Sequence, residues 1–139
     1  MKGQYLTLEY LIFFMIGVFL IISIYFSFSS LNENYRKSML ENQLQMTGEL
    51  ISGAIINVYE ASNLTNSSIN YTLKIPTKLS NCIYSVNISK NMLNINCTNE
   101  PTGIALTLYN FNTTNKNIIY STNGLIKLFA KQGKVELYD

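Results

Sequence analysis

The chain has no histidine, no tryptophan, a single arginine, two prolines and two cysteines in 139 residues. Without histidine it lacks the one side chain whose ordinary pKa lies near neutrality, which removes the commonest general base and the commonest transition-metal ligand. Two cysteines alone cannot complete a zinc site, so no metal and no cofactor is expected. No glycine-rich phosphate loop is present. Beyond residue 60 the only acids are Glu100, Glu136 and Asp139, too few and too scattered for a catalytic carboxylate pair, so an enzyme is not expected. Scarcity of arginine matters as well. Residues 1–60 carry a net −2 and residues 61–139 a net +4, but all the basic residues of the second part are dispersed lysines. Lysines of that kind make a solvated surface rather than a bidentate grip on phosphate, and nucleic acid is not an expected partner. Both prolines, Pro76 and Pro101, lie in the second half, so nothing in the first 75 residues breaks a helix.

What fills the first part is apolar. From Leu11 to Phe28 the sequence reads LIFFMIGVFLIISIYFSF without a charge, and the apolar span covers residues 10–29. About 20 residues at roughly 1.5 Å each span the ~30 Å hydrocarbon core of a bilayer. Residues apolar on every side do not belong to a half-exposed helix, and the remaining chain is too short to wrap such a helix as a soluble core. A cleavable secretory signal is the rival reading, with Ser27-Phe28-Ser29 as its cleavage site. Against it stand the length of the run, the single basic residue ahead of it and the helical pattern that continues past Ser30. In that continuation Leu31, Tyr35, Met39, Leu40, Leu44, Leu50, Ile51, Ala54, Ile55 and Val58 recur mostly at spacings of three and four, with charged residues between them. The pattern predicts one helix from Tyr5 to Tyr59 within a spine over residues 4–60.

Glu9 sits at the lip of the apolar run, where burying a carboxylate in the membrane costs a few kcal/mol unless something compensates. The bland role for it is to sit at headgroup level and favour the positive end of the helix dipole. Lys2-Gly3-Gln4, then Thr7-Leu8-Glu9, then the apolar helix resemble the archaeal type IV pilin-like proteins that carry a class III signal peptide. The resemblance covers roughly the first fifth of the chain. It implies that residues 1–3 are a leader removed by a prepilin peptidase, with Lys2 and Gly3 in the leader, Gln4 after the cut and Thr7 in place of the family's serine. It implies further that the apolar helices of many subunits pack as a filament core, with Glu9 neutralising the new α-amino group and setting register between neighbours. Cleavage after Gly3 makes Glu9 the sixth mature residue where the family has the fifth. Aligning on Thr-x-Glu instead puts Tyr5 where the glutamine belongs.

From Ser62 to Ser68 the polar composition reads as a loop, and short β-branched and aromatic runs follow. Strands are expected at Tyr71–Ile75, Cys82–Ile88, Met92–Cys97, Ile104–Tyr109, Asn117–Tyr120, Leu125–Ala130 and Lys134–Tyr138, forming an antiparallel β-rich head over residues 61–139. The last two flank a Lys-Gln-Gly-Lys turn as a hairpin. A hairpin turning at Ser89-Lys90 would place Val86 opposite Leu93, Tyr84 opposite Ile95 and Cys82 opposite Cys97, close enough for a disulfide. Such a bond persists outside the cytosol, and two unpaired core thiols are the alternative. Six Asn-x-Ser/Thr sequons occur in the head. Asn63, Asn66, Asn70, Asn87 and Asn112 are candidate N-glycosylation sites, whereas Asn96 has Cys97 within its sequon.

Together these features predict an α+β protein with a long N-terminal hydrophobic helix followed by a small antiparallel β head. The expected function is that of a structural subunit of a pilus-like surface filament. Its partners would be other pilin-like subunits, a prepilin peptidase and, before assembly, membrane lipid, with the head outside the cell in surface contact. The alternative is a membrane-anchored extracellular binding or accessory module of a surface machine.

Overall fold

The computed structural model describes the backbone of residues 2–89, 91–108, 112–115 and 117–138, and the side chains of residues 8–89, 91–108, 112–114 and 117–138. A helix, α1, runs Lys2–Thr65. Eight strands follow among the described residues: β1 Ile69–Lys74, β2 Tyr84–Ser89, β3 Met92–Cys97, β4 Gly103–Thr107, β5 Asn112–Asn115, β6 Ile119–Tyr120, β7 Leu125–Lys131 and β8 Lys134–Tyr138. The class is α+β, as the sequence predicts. Two compact units divide within the helix, Met1–Ser38 and Met39–Asp139.

In the first unit α1 is rich in Ile, Phe and Tyr, which have only middling helix propensity, so the helix there follows from the absence of proline and from the need of an apolar segment to pair its own backbone groups. Two hydroxyls within the apolar run are satisfied locally. Ser23 Oγ donates to the Phe19 carbonyl and Ser27 Oγ to the Ser23 carbonyl, each at 2.9 Å, so neither hydroxyl presents an unmade hydrogen bond to an apolar surrounding.

In the second unit α1 turns one face inward. Leu40, Leu44, Thr47, Ile51, Ile55 and Val58 are buried, at spacings of three and four that line one side of a helix. They join a single core with Tyr84, Val86 and Ile88 of β2, Leu93 and Ile95 of β3, and Ile126, Leu128, Val135 and Leu137 of β7 and β8. Gly48 marks the closest approach: a Cβ there would lie 2.6 Å from Leu106 Cδ1 and 3.0 Å from Ile104 Cδ1. The helix ends at Thr65, past the Tyr59 limit read from the sequence. Hydroxyls expected to favour a loop instead serve the helix end, with Thr65 Oγ1 donating to the Ala61 carbonyl at 2.7 Å and Ser62 Oγ to the Ser67 carbonyl at 2.8 Å. Asn66 then turns the chain at φ 50, the left-handed conformation that closes many helices.

The strands form two four-stranded sheets, in the orders β1-β7-β8-β5 and β4-β3-β2-β6. Every pairing is antiparallel except β5 with β8, which is parallel. β5, with the sequence NTTN, has neither apolar alternation nor an aromatic, and the sequence gives no sign of it. Its central Thr113 is buried with its hydroxyl unpartnered. The β7–β8 hairpin turns where the sequence places it, on Gln132 and Gly133 at φ 46 and 76, both positive as a two-residue turn of matching twist requires.

Tyr84 anchors the interior of the second sheet. It is fully buried, and its hydroxyl donates to the Pro76 carbonyl at 2.6 Å. Its backbone N–H donates to Ser121 Oγ at 3.1 Å, and that hydroxyl donates in turn to the Thr77 carbonyl at 2.8 Å. One serine thereby ties β2, the 76–79 loop and the Ser121–Asn123 turn together. Burial pushes the Tyr84 phenol up to about 12 from 10.0, because the phenolate would lose its hydration.

Three outcomes test this packing. Nothing stands within 4 Å of a Cβ added at Gly53. Gly53→Ala should therefore stabilise the fold by about 0.5–1 kcal/mol through helix propensity alone. Gly48→Leu should instead destabilise it by roughly 1–3 kcal/mol through overpacking, both read from denaturant unfolding of the detergent-solubilised chain. Because the folded Tyr84 phenol titrates above the unfolded one, the stability it contributes is complete below pH 10 and is lost as pH rises from 10 through 12. Tyr84→Phe should flatten that alkaline loss, read as the denaturation midpoint against pH.

Candidate functional site

The site is the outer surface of the apolar half of α1. From Leu8 to Leu31 eighteen large apolar side chains are exposed, and the helix is long and apolar enough to cross a membrane, with none of its most apolar window buried. At roughly 1.5–3 kcal/mol per buried large apolar side chain, leaving them in water would cost tens of kcal/mol. A folded domain has only about 5–15 kcal/mol of stability in all. This surface therefore works against something apolar.

Glu9 is the acidic residue of that surface, exposed on α1. Ile12, Phe13 and Ile16, three, four and seven residues further on, are exposed along the same side of the helix. A carboxylate on such a face keeps its hydration at headgroup level, and where the face is covered more deeply its burial is costly unless a cation or donor compensates. The side chains of Lys2, Gly3, Gln4 and Thr7 lie outside the described residues.

Cys82 and Cys97 form a disulfide with a Cα–Cα distance of 5.7 Å. The register that places them differs from the one read from the sequence. In the β2–β3 ladder Tyr84 faces Cys97, Val86 faces Ile95 and Ile88 faces Leu93, a shift of two residues. The connection follows Ser89 and includes Asn91 at φ 61, an asparagine suited to the left-handed conformation. A shift of two keeps every side chain on its face, so apolar alternation could not tell the registers apart. Cys82 accordingly lies before β2, held in an isolated bridge with Leu79 through hydrogen bonds of 2.8 and 3.0 Å. From there it reaches Cys97 diagonally. This bond pins the 76–82 loop to the second sheet, beside the Tyr84 and Ser121 network.

Of the candidate glycosylation sites, Asn63 and Asn66 are exposed at the end of α1. Asn70 and Asn112 are exposed on the outer face of the first sheet, while Asn87 is half-buried opposite Asn94. The structure does not bring these residues together into one patch. Sequence reasoning passed over Ser121, the buried hydroxyl that links three segments. A lone serine in a polar Tyr-Ser-Thr-Asn-Gly run carries no signal of burial.

An apolar N-terminal helix carrying a small, mostly antiparallel β head fits a pilin-like fold. No protein-family model, no curated protein and no solved structure matches the chain.

Replacing both Cys82 and Cys97 by serine should lower stability by about 3 kcal/mol, the chain-entropy value for a loop of this size, given their separation of 15 residues. Denaturant unfolding of the two chains side by side measures it.

Proposed function

We propose that the chain is a structural subunit of an archaeal type IV pilus-like surface filament, a pilin or minor pilin. The observation that carries this reading is the unpartnered apolar half of α1, with one carboxylate at its start and the same helix continuing into the core of a β head. A plain lipid anchor would account for the apolar side chains and would leave Glu9 only the headgroup-level role of favouring the positive end of the helix dipole. A helix bundle built from many copies accounts for both, because each copy supplies an apolar surface and a terminal ammonium together.

The mechanism runs in three steps. A prepilin peptidase removes the leader ending at Gly3 or the adjacent Gln4, which creates a new α-amino group near the membrane surface. While the subunit waits in the bilayer, lipid covers the apolar face and the head lies outside the cell. On assembly the face exchanges lipid for the helices of neighbouring subunits, and Glu9 pairs with an α-amino group, its own or a neighbour's. The pairing compensates the burial of both charges and favours one axial register, since a helix displaced by a turn would leave a buried carboxylate alone. In the head, the disulfide and the Tyr84 network keep a small domain folded in an oxidising exterior. Asn63 and Asn66, exposed at the end of α1, are the sequons most open to a glycan.

Mass spectrometry of the mature N-terminus, with recovery of filaments by shearing, tests the proposal. Loss of the first three or four residues and a sheared product containing the chain are expected. An intact N-terminus on a protein found only in detergent extracts would overturn it and favour a membrane-anchored accessory module. Glu9→Ala should be processed normally yet reduce filament recovery by at least about tenfold, the loss expected when one partner of a buried charge pair is removed. Normal filaments from that variant would remove the neutralising role.

A further inference from the structure

The edge strands of the two sheets, β1, β5, β4 and β6, differ in how they are closed to further pairing. β1 carries Lys74 and the sequon residue Asn70, β5 is the polar segment NTTN with the sequon residue Asn112, and β6 is two residues long. Charge and shortness are among the devices that keep a sheet edge from taking on another strand, and a glycan would act in the same way. β4, with the sequence GIALT, is five residues long and has no charge, no proline and no sequon.

The backbone of β4 has a definite free side. The Cys97 N–H donates to the Thr102 carbonyl at 2.9 Å and the Leu108 N–H to the Asn91 carbonyl at 2.7 Å, in the same register that pairs Ile95 with Ile104 and Leu93 with Leu106. Hydrogen-bonded pairs recur at every second residue of an antiparallel ladder. The N–H and C=O groups of Ile104 and Leu106 therefore point to β3. Those of Gly103, Ala105 and Thr107 point outward, where no group among the described residues bonds to them. Gly103, Ala105 and Thr107 are exposed. The side chains of Ile104 and Leu106, on the core side facing Gly48 of α1, stay half-buried, so the core itself is open along this edge.

We infer that the β4 edge pairs with the β4 edge of a second copy of this chain, antiparallel and centred on Ala105. The segment is complementary to itself in that register. Ala105 faces Ala105 of the second copy and Gly103 faces Thr107, so every outward N–H and C=O of both strands gains a partner. Ile104 faces Leu106 of the second copy at the closer, non-hydrogen-bonded positions, and each covers the other's open side. No charge meets a like charge. The contact has a two-fold axis. Subunits of a filament built by one repeated helical step differ by a rise along its axis, and a two-fold pair has no rise, so the strand pair joins chains of different filaments. The inference rests on the filament proposal and adds bundling to it. One pair of five-residue strands covers far less than the roughly 1,000 Å² that a stable interface needs. Many such pairs along two filaments hold by avidity what one cannot.

The test uses purified filaments sheared from cells making full-length wild type, A105K or A105E, and reads filament yield together with the bundled fraction by electron microscopy. Wild-type filaments should bundle. Each charge variant sets like charges directly opposite one another, so its yield should stay at the wild-type level while the bundled fraction falls about tenfold or more. Mixing A105K with A105E filaments should restore bundling. If either charge variant misfolds, oxidation of A105C filaments should give covalent dimers, because directly opposed residues lie within disulfide reach, and their absence overturns the pair. Wild-type filaments that stay single, charge variants that bundle like the wild type, or a mixture that stays apart overturn the strand pair and leave the subunit proposal standing. Bundling that is lost on purification and returns only with another protein overturns it as well. If the wild type forms no filaments, the subunit proposal fails. Covalent A105C dimers of the detergent-solubilised chain then support the pair alone, and their absence overturns it too.

Discussion

Everything in this protein depends on one helix having to satisfy two different surroundings. Between Leu8 and Leu31 the large apolar side chains of α1 are exposed, whereas between Leu40 and Val58 a single face of the same helix is buried among the strands. The periodicity changes where the surroundings change. All-round apolar residues suit a medium that is apolar on every side, and a stripe at spacings of three and four suits a domain that lies on one side only. The second half cannot be loosened without cost, because Leu44, Ile51 and Ile55 are fully buried and Gly48 leaves no room between the helix and Leu106. Head and spine are therefore one folding problem, and the division between compact units falls inside the helix rather than at its end.

The head is small, and it relies on cross-links between segments that a core of this size would leave loose. The Cys82–Cys97 bond holds the loop before β2, and Ser121 and Tyr84 fasten the same loop from the other side. These fastenings converge on residues 76–82, the connection between the two sheets. A small domain gains most from stapling its longest irregular connection, because that segment loses the most conformational entropy on folding. The sheet faces then differ in character, one carrying lysines and half-buried aromatics and the other neutral and rich in asparagine.

Much of this was legible in the sequence. The apolar run, the amphipathic continuation and the Lys-Gln-Gly-Lys hairpin each rest on strong local rules, and the structure contains all three. The cysteine pairing was legible too, although the ladder that produces it was displaced by two residues. Face alternation repeats every two residues and is blind to such a shift, and only the left-handed tolerance of Asn91 pointed to the actual turn. The helix extended to Thr65 where the composition suggested a loop: the Thr65 hydroxyl bonds back to the Ala61 carbonyl, while the Ser62 hydroxyl reaches forward to the Ser67 carbonyl just past the helix end. β5 was invisible. A four-residue polar strand is specified by its parallel neighbour β8, a partner distant in sequence, and not by its own side chains. The site itself was half legible: Glu9 stood out as a lone charge beside an apolar run, while the lysine-bearing outer face of the first sheet emerged only once the strands were assembled.

The central claim is that the apolar half of α1 works against other copies of itself rather than against lipid alone. Both native cysteines are paired, so a single cysteine introduced at Ile21→Cys, an exposed position in the middle of that surface, reports its neighbours directly. In material sheared from cells without detergent, oxidation should join Ile21→Cys chains into covalent dimers. Absence of that cross-link, with the chain recovered only from the membrane fraction, would contradict the account.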